Sequence, residues 1–531
     1  MSGNFKRENR EIPKASDDVS ERSENATGGT ADEKAMGKSD GSIVPAKAAN
    51  KDGAEPSAEL PEERDPAERN IDQGALHRTR SRVNRRSRGL AGVRDAARKD
   101  GELRFTALLH HVNEGSLTEA FFQLKKTAAV GVDKVTWYEY EQDLRAHIVD
   151  LHGRIHRGAY RAKPTRRVWI PKPDGRQRPL GVTSLEDKIV QQAVLQVLQS
   201  IYEQDFLGFS YGFRPGRSCH NALDALSVGL TRRRVNWVLD ADVSGFFDAI
   251  DHEWLIKFLE HRIGDQRILR LIRKWLRAGV SEDGEWSKTK VGTPQGAVIS
   301  PLLANVYLHY VFDLWVEWWR REHSRGDVIV VRYADDFVIG FEHRTDAEKC
   351  LESLRTRFAK FGLKLHPEKT RLIEFGRFAI DQRKQRGKGR PETFDFLGFT
   401  HVCDKTRKHG WYTVRRYTIA KRMRATVAAI KQQLRRRMHS PLGATARWLR
   451  RVVQGWLNYY AVPGNYQKLQ EFVDEVSKHW LTTLRRRSQR GQGRWNWRRM
   501  HRLIRKHLPR PRILHPYPQE RFRARLKAGA V

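Results

Sequence analysis

Apolar positions recur along this chain with two different periods, and the change between them marks out its elements. Phe105, Leu108, Leu109 and Val112 stand at helical spacing, and Leu117, Phe121 and Leu124 come next, so helical structure is predicted from about residue 103. VWIPKPDGRQRPLGV (168–182) reads as a strand, a Pro-Asp-Gly turn and a second strand. A long amphipathic helix is predicted from Glu186 to Tyr202, a strand over 235–243, and a helix from Pro301 to Trp318. VIVVRYADDFVIGF (328–341) is two apolar runs around an acidic turn. From Thr418 to Arg487 the pattern is mainly helical, as is part of the segment beyond Arg487. Helices and strands mix without a regular βαβ repeat, which predicts an α+β fold with helical appendages.

Outside this patterned region the chain changes character. Residues 1–77 carry few apolar side chains and many Ser, Gly, Ala, Glu, Asp and Lys, the composition of a disordered tail. Residues 78–102 are dominated by arginine. They read either as a solvated, partly helical arm or as an RNA-contacting arm that orders on binding. Arg485, Arg486, Arg487, Arg490, Arg494, Trp495, Trp497, Arg498 and Arg499 crowd one later stretch. Cations interleaved with aromatics suit phosphate contact and base stacking, while tryptophans in a helix core explain the same pattern more simply.

Charge sharpens the picture. The chain has 531 residues, with 100 Lys and Arg against 63 Asp and Glu, a net charge of +37. That imbalance points to a polyphosphate partner, though a ribosomal-type RNA binder would share it. Cys219, Cys350 and Cys403 lie far apart, which argues against a disulfide framework or a structural zinc site and fits a reducing compartment. The N-terminus has no apolar signal core, and no run of about 18 apolar residues occurs, so a cytoplasmic protein without membrane spans is expected.

The candidate chemistry lies in two acidic segments. In Tyr333-Ala334-Asp335-Asp336 the acids fall at the tip of a hairpin. Two adjacent carboxylates at an apolar turn repel each other unless a cation compensates them. Magnesium is hard, prefers oxygen and uses one or two carboxylates plus substrate phosphates. Alone, an Asp-Asp turn is more often simply solvated. The second segment, VLDADVSGFFDAIDH, changes that balance: Asp240 and Asp242 share one strand face, while Asp248 and Asp251 lie in a turn or helix start. Acids on a strand beside acids on a hairpin are what two-metal phosphoryl transfer requires.

The ordered set ADVSGFFD, Gly292-Thr293-Pro294-Gln295-Gly296 leading to Ser300-Pro301, and YADD resembles a group II intron reverse transcriptase. Ser210-Tyr211-Gly212-Phe213-Arg214-Pro215-Gly216, the 362–370 segment GLKLHPEKT, Phe396-Leu397-Gly398-Phe399 and Gly455-Trp456-Leu457-Asn458-Tyr459-Tyr460 extend the likeness. The resemblance implies a right-hand polymerase. Its fingers and palm would span 103–400 and a helical thumb/maturase region 401–490, with a basic, DNA-binding-like tail over 491–531 and no C-terminal endonuclease domain. It implies catalytic Asp242, Asp335 and Asp336, with the Val243 carbonyl joining them on two Mg²⁺ ions. Substrate contacts would come from Lys172, Arg178, Phe247, Gln295 and Gly296, Phe247 lying under the incoming sugar. The implied function is RNA-directed DNA synthesis together with binding of intron RNA for splicing and mobility. The partners would be intron RNA, an RNA template with DNA primer, target DNA and deoxynucleoside triphosphates. A non-mobile RNA-binding maturase, or a reverse transcriptase recruited for another role such as defence, is the alternative. Arg214 and Lys369 read equally as nucleic-acid contacts or solvated cations, and Trp456, Tyr459 and Tyr460 as core.

Overall fold

The computed structural model describes residues 89–171, 177–282, 285–287, 292–293, 295–406, 408–489 and 491–527. Everything described belongs to one compact unit of the chain. The expected disordered tail, residues 78–88 of the basic arm and Lys172 lie outside the described residues.

The first elements are helical: α1 (residues 89–99), α2 (Glu114–Gln123), α3 (Trp137–Gln142) and α4 (Leu144–His156). A capping box starts α3, in which Thr136 and Glu139 bond each other's backbone. α1 is more than a charged arm, because Val93 and Ala97 are buried and Arg262 donates to the Ala97, Asp100 and Leu103 carbonyls at its end. The helix expected over 105–112 is absent apart from a 3₁₀ turn at Leu109–His111. Asp265 accepts the Leu108 and Leu109 N–H groups, Phe105 bridges to Ile263, and Asn113 caps α2 as a fresh start. These long-range bonds override the local period.

A hairpin comes next, β1 (Thr165–Pro171) and β2 (Gln177–Val182), with Val168 opposite Leu180. Then come α5 (Leu185–Asp205), α6 (Cys219–Arg232), β3 (Trp237–Ala241), α7 (Phe246–Ala249), α8 (His252–Glu260) and α9 (Gln266–Arg277). Two short strands, β4 (Val280–Glu282) and β5 (Glu285–Ser287), complete a four-stranded sheet of order β2-β1-β4-β5. The helix expected from Pro301 to Trp318 is α10 (Ser300–Leu308) and α11 (Leu314–Glu322), joined by a π-helical turn at His309–Asp313. β6 (Val328–Tyr333), β7 (Asp336–Phe341), α12 (Arg344–Lys360) and β8 (Arg371–Glu374) continue the chain. The three strands form with β3 a second sheet of order β6-β7-β3-β8, antiparallel throughout. β3 is shorter than the 235–243 expected and stops one residue before Asp242. α12 packs on β3 and β7, and α6 on β6, so five of the six β6 residues are buried.

The rest is α13 (Ala379–Gln385), a small sheet of β9 (Phe394–Phe396), β10 (Phe399–Lys405) and β11 (Tyr412–Thr418), then α14 (Ala420–Arg436), α15 (Leu442–Tyr460) and α16 (Tyr466–Arg486). α14 to α16 have their own core around Ile430, Leu449, Phe472 and Trp480. α17 (Gly491–Arg494), α18 (Trp497–His507) and α19 (Pro518–Lys527) end the described chain. The segment read as a basic tail is therefore partly built into the body. α19 packs on α6, Phe522 joins the main core, and the Leu514 and His515 N–H groups donate to the Ala461 carbonyl.

Candidate active site at the end of the antiparallel sheet

The site arises from sheet register. Ala241 lies opposite Phe337, so the next residues outward, Asp242 and Asp336, face each other across the end of β3 and β7. Tyr333 pairs with Asp336 around a two-residue turn, Ala334-Asp335, which puts Asp335 at the tip. Ala334 takes a left-handed φ of +57°, a conformation that a residue with a Cβ adopts at a cost. Gly212 lies against this turn, and any Cβ there would collide with the Ala334 nitrogen.

Asp335 and Asp336 both hold a proton more tightly than a free carboxyl does. Burial, then the charges of Asp335 and Asp242, push Asp336 up to about 7. Solvent still reaches the Asp336 side chain, so this cleft is crowded rather than sealed. Burial also raises Asp335, helped by Asp242 and opposed by Arg178 and Lys369. Asp240 is pushed up to about 6 by burial, with Arg371 at 3.5 Å pulling it down. It sits inside β3, paired with Val338 and Arg371, one residue before the strand's end, where its charge also raises Asp336. Lys369 is ion-paired to Asp242 and half exposed.

The remaining predicted residues fall around this cleft. Phe247 is partly buried beside fully packed Phe246, and its carbonyl accepts the Thr293 N–H at 2.8 Å. Val243 is buried, bridged to Leu365. Arg178 Nε donates to Gln295 Oε1 at 2.8 Å, and the Gly181 N–H to the Gln295 carbonyl at 2.7 Å. Gly296 has a φ of +111°, which favours glycine, and it packs on the Gly181 carbonyl. The hairpin β1–β2 and the Gln-Gly loop are thus one bonded unit. Asp248 is exposed, and Asp251 caps α8 through the Glu253 and Trp254 N–H groups. Arg214 is a buried brace, bonded to Glu203 and to the Leu207 and Ser210 carbonyls.

Sequence reasoning missed two supports. Arg332 is fully buried beneath the Ala334-Asp335 turn, and the signal for it was a lone cation in the apolar run VIVVRY. Tyr459, placed only as core, donates from its hydroxyl to the Leu397 carbonyl at 2.8 Å. It thereby braces a turn in which Leu397 has φ +46° and Gly398 φ +84°.

Among the described residues no three Asp, Glu, His or Cys side chains close around one point as a complete metal cage. The donor set nevertheless suits a hard divalent cation: carboxylate oxygens, mutually repelling, open on one side for substrate oxygens. An antiparallel sheet that ends in such carboxylates, flanked by helices and a basic hairpin, defines a nucleotidyl-transferring polymerase. Residues 170–401 match the family model described as reverse transcriptase (RNA-dependent DNA polymerase). The protein YkfC of Escherichia coli (strain K12) is 34% identical over 315 residues, covering 52% of this chain and 81% of that protein. The group II intron-encoded protein LtrA of Lactococcus lactis subsp. cremoris is 45% identical over 153 residues, 29% of this chain but only 25% of LtrA. Nuclear intron maturase 2, mitochondrial, of Arabidopsis thaliana is 33% identical over 112 residues, 20% of this chain and 15% of that protein. The chain belongs to the group II intron reverse transcriptase/maturase family and is by family an RNA-directed DNA polymerase. Its right-hand polymerase fold mixes helix and sheet. No helix among the described residues is long and apolar enough to cross a membrane.

Proposed function

We propose that this chain extends a DNA primer on an RNA template at Asp242, Asp335 and Asp336, and that it also grips the RNA of a group II intron to promote splicing and mobility. The convergence of Asp242, Asp335 and Asp336 at the end of β3 and β7 carries this reading, with burial raising the proton affinity of Asp335 and Asp336. Two Mg²⁺ ions held there, with the Val243 carbonyl as a further oxygen donor, would supply Lewis acidity at the attacking hydroxyl and the leaving phosphate. The chain's own residues do the rest. Arg178, fastened to Gln295, offers its guanidinium to the triphosphate, and Lys172 adds a second cation. Gly296 lets the nucleotide and template approach the backbone closely. Phe247 closes the floor beneath the sugar.

In this reading α14 to α16 form the thumb, and the Arg-rich surface from Arg485 to Arg499 takes RNA phosphates and unpaired bases. The test is primer extension by the purified chain on an RNA template with deoxynucleoside triphosphates and Mg²⁺, alongside a splicing assay with a group II intron RNA. Extension with splicing supports the proposal. Splicing without extension leaves an RNA-binding maturase, and extension without splicing leaves a polymerase recruited to another role.

A further inference from the structure

We propose that Arg332 is a positioning residue for the catalytic turn: clamped to Asp313, it sets where Asp335 and Asp336 stand and hence how well they hold a divalent cation. The inference rests on the polymerase reading above. Arg332 and Asp313 are both completely buried. A guanidinium has five N–H donors, and all five are used here. Nε and one Nη2 hydrogen grip the two Asp313 oxygens at 2.6 and 2.5 Å. The other Nη2 hydrogen goes to Ser210 Oγ at 2.7 Å. Nη1 divides between Asn305 Oδ1 and the Ala334 carbonyl, both at 3.0 Å.

The last bond matters most, because the Ala334 carbonyl belongs to the peptide that leads into Asp335. Its direction fixes the plane from which the Asp335 side chain springs. The clamp also organises the surroundings of the turn. The Arg332 backbone pairs with Phe209 and Tyr211 at 2.9 and 2.8 Å, and Asn305 Nδ2 donates to the Gly212 carbonyl at 2.7 Å. The strand, the 209–212 loop and α10 therefore meet on one side chain. Asp313 ends the π-helical turn between α10 and α11. A π turn interrupts the regular 3.6-residue progression, and such turns gather at functional sites.

Stability alone is a weak reason for this arrangement. A buried ion pair loses much of its Coulomb gain to desolvation, and apolar replacements of equal volume often do as well. What an apolar replacement could not do is hold the Ala334 carbonyl of a strained turn in a single orientation. A planar fork does so where an ammonium would not.

The experiment compares Arg332→Lys and Asp313→Asn with the parent. Single-nucleotide incorporation is measured with active-site titration, so that rate per active molecule is separated from the fraction folded. Binding of Mn²⁺ to the protein–primer–template complex without nucleotide is read by electron paramagnetic resonance. Primer–template affinity is measured in parallel. We expect the rate per active site to fall at least about tenfold, as sub-ångström misplacement of reacting groups does, with weaker Mn²⁺ binding and unchanged primer–template affinity. Rate per active site and Mn²⁺ affinity both at parental values would overturn the proposal, whatever happens to thermal stability. If either variant fails to fold, Ser210→Ala removes one of the five bonds and should shift both readouts in the same direction by less; no shift then counts against the clamp. A parent that extends no primer refutes the polymerase reading instead, and the Mn²⁺ measurement still judges the clamp.

Discussion

Two clusters of charge in this molecule have opposite characters. At Asp224 on α6 a single buried carboxylate meets two buried arginines, Arg416 of β11 at 3.2 Å and Arg521 of α19 at 2.5 Å. At the end of β3 and β7 three carboxylates share one half-exposed lysine and the influence of Arg178. The first cluster has more positive than negative charge and joins three elements far apart in sequence. Among the described residues the second is short of positive charge, and it is open to solvent. An acid supplied with its own cations is part of the scaffold, whereas acids gathered without enough of them are, on the proposed function, the place where a cation binds with substrate. The same residue type thus has two uses, decided by what surrounds it.

The comparison breaks most decisively through substitution. Asp335→Ala, like Asp242→Ala, should reduce nucleotide incorporation about a thousandfold or more, as loss of a positioned charge does. Its metal-free melting temperature should stay level or rise, because a repelling carboxylate is gone. Asp224→Ala should do the reverse: stability falls by about 3–5 kcal/mol, since two buried arginines lose their partner, while incorporation per folded molecule at low temperature holds. Calorimetry and active-site-titrated extension on both variants check this, and an unstable Asp335 variant or an inactive but stable Asp224 variant would erase the distinction.

At the rim of the open cluster, Phe247→Ala should admit ribonucleotides, seen as a rise of about tenfold or more in ribonucleotide over deoxyribonucleotide use, the scale on which a pocket discriminates by a single small group. Selectivity equal to the parent's would make Phe247 core alone. Replacing Arg485, Arg486 and Arg487 together with Gln should lower the salt dependence of RNA binding by roughly one unit of slope for each phosphate no longer neutralised. Titrations at several salt concentrations decide it, and an unchanged slope assigns these arginines to solvated surface.

The smallest effect concerns pH beside the Asp224 cluster. His401 is wholly buried, paired in register with Arg416, and burial together with that cation lowers its pKa to about 3. Below the ordinary histidine value of 6.5 the unfolded chain binds this proton and the native one does not. The contribution is therefore fully present above pH 6.5 and is lost as pH falls toward 3. His401→Gln should flatten the acid side of the stability curve over that window, measured by denaturant unfolding; an unaltered slope would mean the imidazole is not the group that titrates.

Much of the fold was legible because it rests on local pattern. The hairpin around YADD, α5 and the helical region after Thr418 all declare their period in the sequence. The breaks in that legibility have physical causes. Residues 105–112 look helical, but Asp265 takes their N–H groups from 156 positions away. The run from Pro301 reads as one helix, and nothing in its spacing marks the π turn that ends at Asp313. Arg214, Arg332, Arg416 and Arg521 look like further members of a basic surface, yet all four are buried.

By itself, then, the sequence determined the surplus of positive charge, the order of helices and strands, and the acidic tip between two apolar runs. These depend on composition and on neighbours a few residues apart, which any extended reading of the chain preserves. Only the tertiary structure decided that Asp242 faces Asp336, that Asp240 stays within its strand, and which arginines neutralise buried acids instead of meeting solvent. Register, burial and ion pairing join residues separated by tens to hundreds of positions. A charged side chain carries no mark of its eventual partner until packing has removed water from one and left it around another.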